Sequence, residues 1–305
     1  MHHAALRYLV AVARYGSIRK ASNELNISAS AINRQILMLE EEFGIELFER
    51  RASGLKPTMH GDLLIEHARN TLHEFDVVRS EINEMQGRLA GNIRIATLDS
   101  LTLHVLPTAI IAFRKDHPDV TFQIETADPA SVTRLVSNDS ADIGLTFFSE
   151  AHSGITILHH VPSPLCAIMH TSHPLANNNS LSAYDCLSYD IILQEDSGSV
   201  VAFLGRAMAD MRRKALPILV TNTIVASKAM ILRGAGIGFF TRLGFIQELE
   251  TGEVAAIRLS ERGPSSLKLA TIISSSRRTT RTIDNFVDTL SRVLDEQQFR
   301  RLQSA

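Results

Sequence analysis

The sequence predicts an α/β protein that consists of a small all-α N-terminal unit, a long helix and a larger α/β region with two lobes. Its 305 residues suggest about two domains, at roughly 150 residues per domain. Apolar residues recur at helical spacing up to about Gly91, and beyond it short β-rich runs alternate with amphipathic stretches. Because such alternation is typical of an α/β domain, the two regions belong to different fold classes.

The composition excludes several classes of protein. With 45% hydrophobic and 21% charged residues, the chain is neither disordered nor collagen-like. No apolar run approaches the roughly 18 residues of a membrane-spanning helix. Two cysteines, Cys166 and Cys186, are too few for the disulfide framework of a secreted scaffold. We therefore expect a soluble, cytoplasmic protein. A redox-sensing cysteine pair is the alternative, but Cys166 lies in an apolar run that favours an inert, buried thiol.

Charge is distributed unevenly along the chain. The net charge is −2, which by itself gives no argument for a nucleic-acid partner. Residues 1–57 carry eight Lys and Arg against six Asp and Glu, residues 58–90 carry three against six, and residues 91–305 carry twenty against twenty-one. Only the N-terminal piece is basic, so a polyanion would bind there.

The first helices have the pattern of a helix-turn-helix. An apolar helix ends at Gly16, and Ser17 then caps a second, short helix. After a tight connection at Asn26, Ser28 caps a third helix that runs to about Glu42. A short helix, a tight turn and a longer helix form this motif.

A hairpin and a long helix follow. Residues 45–58 contain a turn with Gly54 between apolar residues, which predicts a small β-hairpin wing carrying Arg50 and Arg51. Thr58 then caps a long helix whose apolar positions alternate steps of four and three, the repeat of a coiled-coil seam. The seam residues are Leu64, Ala68, Thr71, Phe75, Val78, Ile82, Met85 and Leu89. The pattern predicts a partner helix, and an amphipathic helix packed on its own chain is the alternative.

The α/β region contains two similar sets of strands and helices. The first set ends near residue 148, and the second runs from about residue 164 to residue 241. Two similar halves indicate a cleft between them. One more strand, near residues 267–274, and a terminal helix, from Thr282 to about Gln298, are expected to return to the first half.

Residues 6–61 closely resemble the DNA-binding domain of LysR-type transcriptional regulators, without a gap over roughly sixty residues. Similar landmarks recur later in the chain, among them HPDV from His117, ADIGL from Ala141 and RGAGIGF from Arg233. The resemblance implies a winged helix-turn-helix, a linker helix and a two-lobed effector domain similar to periplasmic binding proteins. The implied boundaries are 1–60 for the DNA-binding domain, 58–90 for the dimerising linker, 91–305 for the effector domain, 91–161 with 268–305 for lobe one and 162–267 for lobe two.

The predicted DNA-contacting residues lie on the second helix, the third helix and the wing. They are Arg19, Lys20, Ser28, Ser30, Asn33, Arg34, Arg50 and Arg51. Recognition helix and wing together present cations on one face, as a DNA duplex requires. The alternatives are a solvated wing and a surface ion pair of Arg34 with Glu41 or Glu42. Ala29, Ser30 and Asn33 depart from the residues frequent in the family, so the operator sequence is not transferable from a relative.

The predicted effector site lies in the interlobe cleft. The segment from Ser197 to Ser199 precedes a helix, where exposed amides attract a carboxylate. The resemblance places the loop after the first strand of lobe one opposite this segment and adds two threonines. The full set is Ser100, Thr102, Thr146, Ser197, Gly198, Ser199 and Thr223. Helix capping by these hydroxyls is the alternative role.

The sequence gives little support for catalysis. Gly234, Gly236 and Gly238 partly imitate a dinucleotide fingerprint, but they end a helix and enter a strand, the reverse of the required order. The histidines between residues 159 and 173 match no standard zinc spacing. We therefore predict no enzyme activity, no cofactor and no metal. The predicted partners are double-stranded operator DNA, a small effector such as an organic acid or amino acid, and further copies of the chain as a homodimer or homotetramer, with RNA polymerase a further candidate. A binding module of periplasmic type without a DNA role is the alternative function.

Overall fold

The computed structural model describes residues 2–52, 54–86, 88–148, 154–194, 217–260, 267–276 and 278–303. The chain divides into two compact units, residues 1–87 and residues 88–305. Within the described ranges, no helix combines the length and the apolar character needed to cross a lipid bilayer.

The first unit begins with the three helices that the sequence predicts. They are α1 (His2–Tyr15), α2 (Ile18–Leu25) and α3 (Ala29–Phe43). Ser17 caps α2 by accepting a hydrogen bond from the Lys20 amide at 3.4 Å, and Ser28 caps α3 by accepting one from the Ala31 amide at 3.3 Å. Asn26 ends α2 in the left-handed conformation, with φ at 52°. These local signals confirm the predicted helix-turn-helix.

The core of the first unit joins these helices to the hairpin. Leu9, Val12, Ala21, Ile32 and Leu47 are all fully buried in one apolar cluster. Because Ala21 has only a methyl side chain, α2 approaches its neighbours closely.

The hairpin confirms the predicted wing. Its strands are β1 (Phe48–Arg51) and β2 (Gly54–Pro57), which pair antiparallel. The Leu55 amide donates a hydrogen bond to the Gly16 carbonyl at 2.8 Å. Gly54 has φ at +116°, and a Cβ at this position would lie 2.6 Å from the Gly16 oxygen. Only glycine fits this close approach, which attaches the wing to the turn before α2.

The long helix α4 (Met59–Met85) follows, and Thr58 caps it by accepting a hydrogen bond from the Gly61 amide at 3.0 Å. Its seam divides into two parts. Ala68 is fully buried against the first unit, whereas the positions from Phe75 to Met85 are exposed. The predicted seam is wrong at Leu89, because the helix ends at Met85 and Leu89 packs against the core of the second unit.

The second unit contains eleven strands and five helices among the residues that the structure describes. The strands are β3 (Gly91–Thr97), β4 (Val120–Thr126), β5 (Ile143–Phe148), β6 (Ile155–Pro162), β7 (Leu165–His170), β8 (Ser180–Leu181), β9 (Ile191–Gln194), β10 (Leu219–Thr221), β11 (Ile237–Thr241), β12 (Val254–Leu259) and β13 (Lys268–Ser274). The helices are α5 (Val105–Asp116), α6 (Pro129–Ser137), α7 (Ile224–Ile231), α8 (Ile246–Glu250) and α9 (Arg281–Gln303).

These strands form two mixed sheets, each the centre of one lobe. Lobe one has the strand order β4-β3-β5-β13-β6, and lobe two has the order β10-β9-β11-β7-β12-β8. The late strand β13 lies between β5 and β6 and is antiparallel to both, so the chain returns to lobe one. Side chains of α5 and α9 share an apolar cluster with lobe one, and Leu243 and Ile246 of lobe two join the same cluster. The lobes therefore share part of one core.

Candidate functional site

The N-terminal half of α3 and its cap residue include four of the predicted DNA-contacting residues. Ser28 and Ser30 are exposed, and the Ser30 hydroxyl donates to the Ser28 oxygen at 3.3 Å. Asn33 is half-buried, and Arg34 is exposed one turn after Ser30. Among the described residues, Arg34 forms no ion pair. The structure therefore does not contain the alternative pair of Arg34 with Glu41 or Glu42. The guanidinium is thus available to an outside anion.

The remaining predicted DNA contacts lie on α2 and on the wing. Arg19 and Lys20 are exposed in the first turn of α2, and Arg50 is exposed on β1. Arg51 is also exposed, but its guanidinium pairs with the Glu49 carboxylate at 2.6 Å. Such exposed pairs contribute little stability, about 0–1 kcal/mol, so a phosphate can compete with Glu49 for Arg51.

In the second unit, Asp99 accepts two hydrogen bonds across the boundary between the lobes, and the sequence reasoning missed this residue. Asp99 begins a 3₁₀ turn (Asp99–Thr102) directly after β3. Its Oδ1 accepts a hydrogen bond from Gln194 Nε2 at 3.0 Å, and its Oδ2 accepts one from the Ile224 amide at 2.6 Å. Gln194 ends β9 and Ile224 begins α7, so both donors belong to lobe two. In the sequence, Asp99 is visible only as an acidic residue next to the predicted hydroxyls of Ser100 and Thr102. No spacing or motif indicates that it contacts Gln194 and Ile224.

The predicted hydroxyls Ser100 and Thr102 lie in the same turn and are half-buried. Thr102 Oγ1 donates to the main-chain carbonyl of Asp99 at 2.6 Å, which closes the turn. Ser100 lies against Gly244 of lobe two, since a Cβ on that glycine would be 3.3 Å from the Ser100 Cβ. Both residues thus stand at the boundary between the lobes.

The hydroxyls of Thr223 and Thr146 both form hydrogen bonds within the protein. Thr223 caps α7 by accepting a hydrogen bond from the Val225 amide at 3.3 Å, as the capping alternative describes. Thr146 is 1% exposed, and its hydroxyl donates to the Pro129 carbonyl at 3.3 Å. The hydroxyl also lies 3.3 Å from the Phe147 carbonyl, and burial leaves it almost no surface for an effector. Ser197, Gly198 and Ser199 lie outside the described residues.

The glycine and cysteine patterns have structural roles in lobe two. Gly234 follows α7 with φ at +71°, and a Cβ on Gly236 would lie 2.5 Å from the Asp190 carbonyl oxygen. Gly234 therefore allows the left-handed backbone that follows α7, and Gly236 allows the backbone to approach the Asp190 carbonyl closely. Cys166 and Cys186 are both buried. Within the described ranges, no three His, Cys, Asp or Glu side chains lie close enough together to hold a metal ion.

His173 has a perturbed environment in lobe two. Its Nδ1 accepts a hydrogen bond from the Leu175 amide at 3.2 Å, and its ring packs edge-on against Tyr189 with centroids 4.6 Å apart. Burial lowers the pKa of His173 from its ordinary value of 6.5. The neutral imidazole is therefore the form that fits this position.

A winged helix-turn-helix with free cations, joined by a long helix to a two-lobed α/β domain, defines a DNA-binding regulator with a ligand-sensing domain. Residues 3–62 match the family described as "Bacterial regulatory helix-turn-helix protein, lysR family", and residues 86–295 match "LysR substrate binding domain". The chain belongs to the LysR family of transcriptional regulators.

Individual relatives agree with this assignment. The chain is 29% identical to the probable HTH-type transcriptional regulator LrrA of Synechococcus elongatus over 249 residues, which cover 81% of this chain and 83% of that protein. Its fold is similar to full-length OxyR from Pseudomonas aeruginosa, with a TM-score of 0.70, 16% identity and coverage of 95% of this chain and 94% of that one. It is also similar to full-length CbnR in complex with its target DNA, with a TM-score of 0.58, 19% identity and coverage of 96% and 100%.

Proposed function

We propose that this chain binds operator DNA through α3 and the wing and that a small effector in the interlobe cleft changes those contacts. The observation that carries the DNA contact is the exposed Arg34 of α3, in the same unit as a wing that carries further cations. An arginine at this position of a recognition helix reaches base edges or adjacent phosphates in the major groove. Arg19, Lys20 and Arg50 are then backbone contacts that set the position of the helix.

The test is DNA binding by the full chain, measured by fluorescence anisotropy with genomic fragments that a gel shift first selects. Arg34→Ala is expected to weaken operator binding by about 1–3 kcal/mol, which is roughly 5–150-fold. Arg7→Ala is the matched control, because Arg7 is an exposed arginine of the same unit that lies on α1. Equal losses in the two variants would refute a specific role of Arg34.

We propose that two chains associate through the second half of α4. Phe75, Val78, Ile82 and Met85 are 54%, 51%, 51% and 88% exposed and recur at steps of three, four and three. This spacing continues a coiled-coil seam, and four exposed apolar side chains in a row are unfavourable in water. A second copy of the same helix supplies the matching surface, and pairs of such dimers give the tetramer.

We propose an organic acid or amino acid as the effector, because the helix start predicted from the sequence at Ser197–Ser199 and the hydroxyls of Ser100 and Thr102 at the lobe boundary suit a carboxylate. The chain is proposed to act in the cytoplasm, where the DNA is, and to have no catalytic role, since the family is one of transcriptional regulators. The alternative of a binding module without a DNA role has no support, because residues 3–62 match the helix-turn-helix family.

A further inference from the structure

The carboxylate of Asp99 connects the two lobes. Asp99 belongs to lobe one, and both of its carboxylate oxygens accept hydrogen bonds from lobe two. The donors are Gln194 Nε2, at 3.0 Å, and the Ile224 amide, at 2.6 Å. The two donors are 30 positions apart in the chain, on β9 and α7. One side chain thus holds two separate elements of lobe two.

The Ile224 amide has a specific need for this carboxylate. It is the first amide of α7, and the first amides of a helix have no acceptor within the helix. Thr223 Oγ1 satisfies the Val225 amide, and the Asp99 carboxylate satisfies that of Ile224. A negative charge at this end also interacts favourably with the helix dipole, and charge-assisted hydrogen bonds are about twice as strong as neutral ones.

The surroundings of Asp99 couple this contact to the packing of the lobes. Gly244 of lobe two lies between Ile224 and Ser100, since a Cβ there would be 2.6 Å from Ile224 Cδ1 and 3.3 Å from the Ser100 Cβ. Leu243, next to that glycine, is 7% exposed in the core shared with lobe one. The hydrogen bonds of Asp99 therefore lie beside the packing contact of α7 with the Asp99–Thr102 turn, and a change at Asp99 is expected to alter that contact.

We propose that Asp99 is an interlobe latch, a positioning residue that fixes the resting arrangement of the two lobes and so sets the DNA-bound state from which an effector acts. The proposal rests on the function proposed above. It requires that breaking the two hydrogen bonds changes the lobe arrangement and that the lobe arrangement changes the DNA contacts.

Hydrogen exchange at the Ile224 amide tests the latch without DNA. In the wild-type chain Asp99 is the acceptor of this amide, so Asp99→Ala is expected to speed its exchange about tenfold or more. The control is Asp128→Ala, because Asp128 caps α6 within lobe one by accepting a hydrogen bond from the Ser131 amide at 3.0 Å. That variant loses an aspartate cap of the same kind and is expected to leave Ile224 exchange unchanged. If Asp99→Ala does not fold, Asp99→Ser has the same expected result, because its oxygen lies one bond nearer the backbone than the carboxylate oxygens and is expected not to reach the Ile224 amide.

Asp99→Asn separates charge from shape. Its amide can accept from Ile224 and donate to the side-chain oxygen of a rotated Gln194, so the bridge persists without the charge. Exchange of the Ile224 amide in this variant is expected to lie between those of wild type and Asp99→Ala. Added acetate at constant ionic strength supplies a free carboxylate, and it is expected to slow this exchange in Asp99→Ala and not in Asp99→Asn or wild type.

A DNase footprint without effector then tests the regulatory part. On a fragment that wild type binds, Asp99→Ala is expected to shift the footprint boundaries or hypersensitive sites, whereas Asp128→Ala is not. Unchanged Ile224 exchange in Asp99→Ala, or faster exchange with an unchanged footprint, overturns the proposal. If wild type bound no DNA fragment, the proposed function would fail first, and the exchange result would still decide whether the latch exists.

Discussion

Lys228→Met is expected to destabilise lobe two strongly, because it breaks a buried ion pair. Lys228 Nζ lies 2.8 Å and 2.9 Å from the two carboxylate oxygens of Glu248, and the side chains are only 15% and 12% exposed. The pair links α7 to α8. Lys228 also lies over the Phe245 ring, 5.1 Å from its centroid. Methionine fills similar space but leaves the Glu248 charge buried without its partner.

The expected cost of Lys228→Met follows from the burial of the pair. Breaking a buried pair by removing one partner costs about 3–5 kcal/mol. This is a large part of the roughly 5–15 kcal/mol by which native domains are stable. The double variant Lys228→Met, Glu248→Leu removes both charges and is expected to recover most of the loss, because two apolar side chains need no charge partner.

Urea unfolding followed by circular dichroism, at one fixed protein concentration, measures these differences. Arg51→Met is the matched control, since the Arg51–Glu49 pair is 2.6 Å long but 50% and 43% exposed. Its expected cost is at most about 1 kcal/mol. If Lys228→Met cost no more than Arg51→Met, or if the double variant were no better than the single one, burial would not determine the strength of this pair.

Three further predictions concern DNA contact, assembly and pH. Arg50→Ala is expected to weaken binding to all DNA sequences alike and to reduce the slope of log affinity against log salt by about one unit, measured by anisotropy across salt concentrations. An unchanged slope would remove Arg50 from the phosphate contacts. Ile82→Asp places a charge in the α4 seam and is expected to convert the oligomer to monomer in light scattering, and a wild-type monomer at micromolar concentration would contradict the seam. Folding lowers the pKa of His173, so the stabilising contribution of this residue is complete above the ordinary pKa of 6.5 and is lost as pH falls below that value. His173→Asn keeps an acceptor for the Leu175 amide and is expected to lose less stability than wild type at acid pH in urea unfolding. Identical pH profiles of the two proteins would contradict this.

Local signals account for the parts of the fold that the sequence predicts well. Ser17, Ser28 and Thr58 all cap the helices expected of them, because a cap depends on residues within one turn. The strands β3, β5, β7, β11 and β13 likewise coincide with β-rich runs, since a buried strand is apolar over its own length.

Contacts between distant segments account for what the sequence does not predict. The strand β12 has no counterpart among the predicted elements, and its place in the sheet is set by its pairing with β7 and β8. Leu89 fits the heptad step, but it packs into another core once the helix ends. The role of Asp99 depends on Gln194 and Ile224, and no spacing in the sequence brings these residues together. The two similar halves predict a boundary between lobes, but the residues that meet there are known only from the structure.

The attachment of the wing to Gly16 has a consequence for altering DNA specificity. The bond from the Leu55 amide to the Gly16 carbonyl and the close approach of Gly54 involve main-chain atoms alone. Wing side chains such as Arg50 and Lys56 are exposed and take no part in this attachment. If the wing contacts DNA as proposed, a library that varies those two positions would sample new base and phosphate preferences on an unchanged framework, whereas a side chain at Gly54 would collide with the Gly16 carbonyl.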